Sequence, residues 1–194
     1  MKSIGVGKDR PERRHAVPIL KLERLSREAF ADFGDVIESQ GRDWFPINNG
    51  TTRRYHHQGT VQIAGADGAA GISLAQGDAF NLPLTIVMLE RHPLGSQSWI
   101  PTDGAPFVIV VAPNGPDDLP DETRIRAFYA AQGQGVNYHL GTWHHPLMTL
   151  GRAGGFVVVD RIGTAPNCDE RDLRQHYTID GTFLDPALKP LVQA

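Results

Sequence analysis

Cysteine is almost missing from this chain of 194 residues: Cys168 stands alone, so no intrachain disulfide can form. That excludes a disulfide-stapled secreted scaffold and suits a reducing compartment, so a cytoplasmic protein is expected. Long apolar runs are missing as well. The longest, Phe107 to Ala112 (FVIVVA), falls far short of the ~20 residues that span a bilayer, and no such run follows the basic start of the chain. Charge of one sign is also lacking, because 19 Lys and Arg stand against 22 Asp and Glu for a formal net charge of -3. Such a balance offers no electrostatic footprint for nucleic acid or for a membrane surface. Nor does the chain hold a GxGxxG, a P-loop, a CxxC or an HExxH sequence, which removes nucleotide, zinc-ribbon and metalloprotease readings. As a nucleophile Cys168 has a weak case, since the acids after it in NCDE raise a thiol's pKa.

What the chain does contain is turns and short strands. Residues 1–17 carry five Lys or Arg against two acids with almost no apolar periodicity, and are expected to form a flexible basic lead. In SREAFADFG (26–34) a capping Ser26, apolar Ala29, Phe30 and Phe33, and a final Gly34 predict one short N-terminal helix. Long helical periods stop there. GISLAQ, LTIVMLE, FVIVVA, RIRAFYA and GFVVVDR follow as strand-type runs, separated by turn signals such as PNGPDD, and the whole chain has 21 glycines and 14 prolines. This pattern predicts an all-β sandwich or closed barrel. One domain over 18–170 is expected, with residues 171–194 as a C-terminal extension that either adds an edge strand and an arm or trails over a neighbouring subunit.

Five polar stretches lie among the strands and can converge if inward side chains face one cavity: INNG (47–50), RRYHH (53–57), NLPL (81–84), ERHPLGSQ (90–97) and YHLGTWHHP (138–146). In the last, strand alternation sends His144 and His145 to opposite faces, and a bend at Gly141 can set His139 near His144. Two imidazoles so placed could exchange protons or bind a metal; the alternative is that they fill a core as hydrogen-bonded aromatics beside Tyr138 and Trp143. Alternation also puts Arg54 and His56 on one face, suited to a small carboxylate, unless this is simply an exposed basic edge. Glu90, Arg91 and His92 end an apolar strand, where Glu90 and Arg91 could be no more than a solvated ion pair. Asp160 closes GFVVVD and could orient a histidine or ligand amide, or pair with Arg161.

INNGTTRRYHH, NLPLTIVMLERHPLGSQSWIP, FVIVVAP, QGVNYHLGTWHHPL and VVDRIGTAPNCDE, in this order, resemble the ureidoglycolate lyase family of allantoin and purine breakdown, formerly called ureidoglycolate hydrolases. The likeness runs from about Leu22 to Glu170. It implies a cupin-like double-stranded β-helix barrel of the jelly-roll type, a homodimer, and cleavage of (S)-ureidoglycolate to glyoxylate and urea. By the cupin pattern GTWH places His144 inside the barrel, but Ser96, Gln97 and Ser98 occupy the positions of the usual His-x-His, so the standard metal cage is missing. The family has been linked with nickel. Any divalent metal here needs another ligand set, drawn from His56, His92, His139 and His144; no organic cofactor is expected. The chemistry implied is an elimination, with His139, His144 and His56 as acid/base candidates. Arg54 or Arg91 would hold the substrate carboxylate, and Asn49, His92, Gln97, Tyr138 and Asp160 would complete the binding set. An amidohydrolase releasing ammonia and a non-catalytic cupin that binds a small acid are the alternatives.

Overall fold

A computed structural model describes residues 16–184, so the greater part of the basic lead and the last ten residues of the C-terminal extension lie outside the described residues. Two antiparallel-rich sheets form the body. The first begins with β1 (Leu22–Arg24), and the second with β2 (Gly34–Ile37); between β2 and the rest comes a separate hairpin of β3 (Phe45–Ile47) and β4 (Thr52–Arg54). The later strands are β5 (Ala69–Gly77), β6 (Ala79–Phe80), β7 (Leu84–Arg91), β8 (Gln97–Pro101) and β9 (Phe107–Ala112). After them come β10 (Arg126–Ala130), β11 (Gly135–Tyr138), β12 (Trp143–His144), β13 (Met148–Leu150), β14 (Gly154–Ile162) and β15 (Asp169–Ile179). The first sheet runs β1-β10-β9-β12-β7-β15, with β13 paired to β9 and β6 to β13, and the second runs β2-β11-β8-β14-β5.

The first sheet curls until its edges meet. Leu20 N–H donates to Thr178 O at 2.8 Å and Thr178 N–H to Pro18 O at 2.9 Å, joining the segment before β1 to β15. Inside the curl lies one apolar cluster that includes Leu22, Ile86, Val110, Trp143, Tyr177 and Ile179. A second cluster, with Phe107, Ile109, Val111, Phe128, Val136 and Phe156, fills the space between the sheets. β9 feeds both, which is why its sequence is an unbroken apolar run and does not alternate: both faces are buried, and all six residues are. The all-β class expected from the turns and short strands, and the cupin-like barrel implied by the resemblance, are the observed architecture.

The N-terminal helix forms but is short. α1 covers Arg27–Phe30, and Ser26 Oγ accepts from Ala29 N at 3.2 Å as its cap. Phe30, fully buried, packs edge-on against Phe128 with centroids 5.6 Å apart, and burial of a side chain this size stabilises the fold by roughly 1.5–3 kcal/mol. Gly34 does not end this helix as expected; it opens β2, where a Cβ would collide with the Asn137 carbonyl of β11. Residue 170 falls inside β15, which pairs with β7 and places Leu173, Tyr177 and Ile179 in the core. The domain therefore continues through this strand, because the first sheet cannot close without it.

Candidate active site

β12 and β7 are antiparallel neighbours, and their register sets His144 directly opposite Glu90. Directly paired residues point to the same face, so the imidazole and the carboxylate meet, with His144 Nε2 3.5 Å from Glu90 Oε1. Two residues beyond Glu90, His92 turns to the same place; its ring centroid is 5.2 Å from that of His144. Ligand atoms of Glu90, His92 and His144 all lie within 4.8 Å of one another. Tyr138 closes one side by stacking on His144.

The backbone fixes how these rings present themselves. His144 Nδ1 lies 2.8 Å from Thr142 O and His92 Nδ1 lies 2.6 Å from Asn167 O. A carbonyl can only accept, so Nδ1 carries the proton in both rings and each neutral imidazole offers its Nε2 lone pair to the cleft. Both Nε2 atoms are buried and have no hydrogen-bond partner. The 3.5 Å approach of His144 to Glu90 is too long for a formed hydrogen bond, yet His144, followed by the charges of His92 and His145, still holds the Glu90 carboxyl below the usual range against the opposing effect of burial. Acceptors converging without a donor create a place for a proton or a metal cation. Burial, then the Glu90 charge, pushes the Tyr138 hydroxyl well above its ordinary value, so it serves as a neutral phenol.

The remaining sequence candidates separate. Gln97 faces Tyr138 across β8 and β11, is buried, and accepts from Trp99 Nε1 at 2.7 Å. Asp160, half-buried in β14, alternates with Arg161, which is paired with Asp67 at 2.5 Å and not with Asp160. Arg91 points away from the cluster: it donates to Asp118 at 2.5 Å and Asp169 at 2.9 Å and lies over the Trp143 ring, because alternation turns it away from Glu90 and into the curled sheet. His139 does not join His144. Its sequence neighbour Tyr138 takes that place, and His139 faces Asp35 at 3.4 Å. Asn49 and Arg54 are exposed on the β3–β4 hairpin and its turn, and His56 is exposed with its ring against Phe45. These three are not brought to the cluster by any described contact.

Glu90 was the residue the sequence did not single out for chemistry, since ER reads as a surface pair. Its signal lay in its place two residues before His92 on an apolar strand, giving both the same face. Cys168 Sγ lies 3.9 Å from Glu90 Oε2, and desolvation, followed by Glu90, Glu170 and Asp169, raises its pKa, as the acids of NCDE implied.

The ureidoglycolate lyase family profile matches residues 17–180. Among relatives, the ureidoglycolate lyase of Pseudomonas fluorescens is 54% identical over 156 residues, covering 80% of this chain and 92% of its own. That of Pseudomonas paraeruginosa is 54% identical over 167 residues, covering 86% and 96% respectively. This chain belongs to the ureidoglycolate lyase family. Within this ureidoglycolate lyase family member, the serines at the cupin first-motif positions have other work. Ser96 Oγ accepts from Gln62 N at 2.8 Å and Ser98 Oγ donates to Asn137 Oδ1 at 2.8 Å, so both serve hydrogen-bond networks and not a metal cage. The side chains that do converge are Glu90 at the end of β7, His92 just past it and His144 on β12, and the orphaned Nε2 atoms of the two histidines fit a divalent cation.

Proposed function

We propose that this protein is a carbon–nitrogen lyase that cleaves (S)-ureidoglycolate to glyoxylate and urea in allantoin breakdown, with Glu90, His92 and His144 as its acid/base face. The observation carrying this reading is the pair of buried Nε2 lone pairs aimed at one carboxylate in a chain whose relatives are named ureidoglycolate lyases. The substrate has a hydroxyl and a ureido nitrogen on one carbon. Cleavage moves the hydroxyl proton to a base as the C=O of glyoxylate forms, breaks the C–N bond, and returns a proton to the urea nitrogen. No water is consumed. A single proton shared among His92, Glu90 and His144 supplies both partners at once: the protonated imidazole is the acid and the other, neutral at Nε2, is the base. Glu90 stabilises whichever ring is charged. Tyr138 keeps the His144 ring in plane, and the Gln97 amide stands beside it as its register partner across β8 and β11.

Glu90, His92 and His144 would also hold a divalent metal, nickel being the one linked with the family. Bound there, it would act as a Lewis acid toward the substrate's oxygens. The decisive experiment measures urea and ammonia released by the purified protein, with metal analysis and activity before and after chelation. Urea without ammonia, and its loss in His144→Ala, supports the reading; ammonia as the product overturns it.

A homodimer is supported by the free edge of the second sheet. On β5, Ile72 and Leu74 are 79% and 81% exposed, on the same face as Val157 and Val159 of β14. An apolar edge of this kind calls for a partner. Leu74→Lys should shift the mass in solution from dimer to monomer. A cytoplasmic location is supported by the single free cysteine, and no helix of the described residues is long and apolar enough to cross a membrane.

A further inference from the structure

The outer face of the second sheet carries a separate polar construction behind Tyr138. Register places Asn137 of β11 between Asp35 of β2 and Ser98 of β8. Asn137 is 1% exposed and uses its whole amide: Nδ2 donates to Asp35 Oδ2 at 2.9 Å and to Thr60 O at 3.2 Å, and Oδ1 accepts from Ser98. Asp35 Oδ1 in turn faces His139 Nε2. A buried, fully engaged network of this kind is rigid, and here it ends at a carboxylate and an imidazole on a pocket wall.

That pocket has a volume of about 260 Å3, and its polar lining is Arg27, Asp35, Arg42, His57, Gln58 and His139. Arg42 is held in place by neutral acceptors only, with Nε donating to Gln58 Oε1 at 2.9 Å and one terminal nitrogen to Val36 O at 2.8 Å. Among the described residues neither Arg42 nor Arg27 is in an ion pair. His57 lies at φ 52°, a left-handed conformation that a histidine adopts at an energetic cost, and its Nε2 is 3.0 Å from Thr60 Oγ1. The lining therefore holds two guanidiniums and two imidazoles against one carboxylate, Asp35, that is already engaged, while Glu28 lies close enough to feel the charge of both guanidiniums. A pre-oriented guanidinium fork matches a planar carboxylate.

We propose that this outer pocket is a second ligand site, specific for a small carboxylate such as the glyoxylate formed at the inner cleft. The choice of glyoxylate rests on the lyase reading; the existence of an anion site does not. Equilibrium dialysis of the full-length protein against labelled glyoxylate tests it. Two sites per chain are expected in the wild type and one in His144→Ala. In the His144→Ala background, Arg27→Ala and His139→Gln should each weaken the remaining site by about tenfold or more. Arg27 makes no described side-chain hydrogen bond, so its removal leaves the fold intact, and a circular dichroism melt verifies this for both variants. If the lyase reading alone fails, urea release is absent while the Arg27- and His139-dependent site persists. Glyoxylate retained in full by the His144→Ala protein lacking both Arg27 and His139, a single site lost with His144, or equal displacement by inorganic phosphate overturns the proposal.

Discussion

Tyr138 lies flat on His144, with ring centroids 4.1 Å apart and planes 13° from parallel. The stack fixes the imidazole plane, while the Thr142 carbonyl fixes its tautomer. Tyr138→Leu should therefore lower kcat by about tenfold, the loss typical of a misplaced catalytic group. Tyr138→Phe keeps the ring and should retain most of the activity. Because burial raises the hydroxyl's pKa, the alkaline limb of the pH–rate profile should be the same for Phe as for Tyr; a displaced limb would show that the phenol is itself the base.

Glu90→Gln preserves shape and removes the charge that faces His144. Loss of general acid/base balance predicts a fall in kcat of about 10²-fold or more with the melting temperature kept within a few degrees. Steady-state kinetics alongside a thermal melt check this.

Arg91→Ala should act on stability and not on recognition. Arg91 makes charge-assisted hydrogen bonds to Asp118 and Asp169 and covers Trp143, although Asp118 is 66% exposed and that part is screened. The loss should be on the order of 2–3 kcal/mol in urea denaturation, with KM nearly unchanged. A large rise in KM without destabilisation would return Arg91 to the substrate site.

Asn167 positions His92 through both its carbonyl and its side chain. Its main-chain O receives the Nδ1 proton of His92, and its Oδ1 accepts from Leu94 N at 2.7 Å. Asn167→Ala leaves the Leu94 amide unpaired, at about 1–3 kcal/mol, and lets the loop and His92 tilt. kcat should fall more than KM rises, and Asn167→Asp, which restores the acceptor, should recover most of it.

The same loop is tied by Asp67, whose Oδ2 accepts from Thr164 N at 2.7 Å and from Thr164 Oγ1 at 2.6 Å. These bonds to Thr164, ahead of the Arg161 charge, lower the Asp67 pKa from 3.8 to about 2. A depressed folded-state value means that the stabilisation is complete above 3.8 and is lost as pH falls toward about 2. Asp67→Asn should destabilise the protein at pH 6 and flatten the acid limb of its stability curve, which urea titrations at several pH values would show.

Local pattern was enough for much of this protein. Short apolar runs between Gly and Pro turns determined the all-β class, and the ordered polar strings determined the family, because period and turn chemistry are properties of neighbouring residues. Alternation along a strand also sends Arg91 away from Glu90 and His139 away from Tyr138, a consequence of sequence neighbours alone. Closure was not legible. That β15 completes the first sheet, and that Glu90 of β7 stands opposite His144 of β12, depends on register between strands more than fifty residues apart. Such pairings are set by which faces the whole chain can bury together, and only the tertiary structure decides them. So it was the fold that exchanged His139 for His92 and Glu90 beside His144, and left His139 to an outer pocket with Asp35.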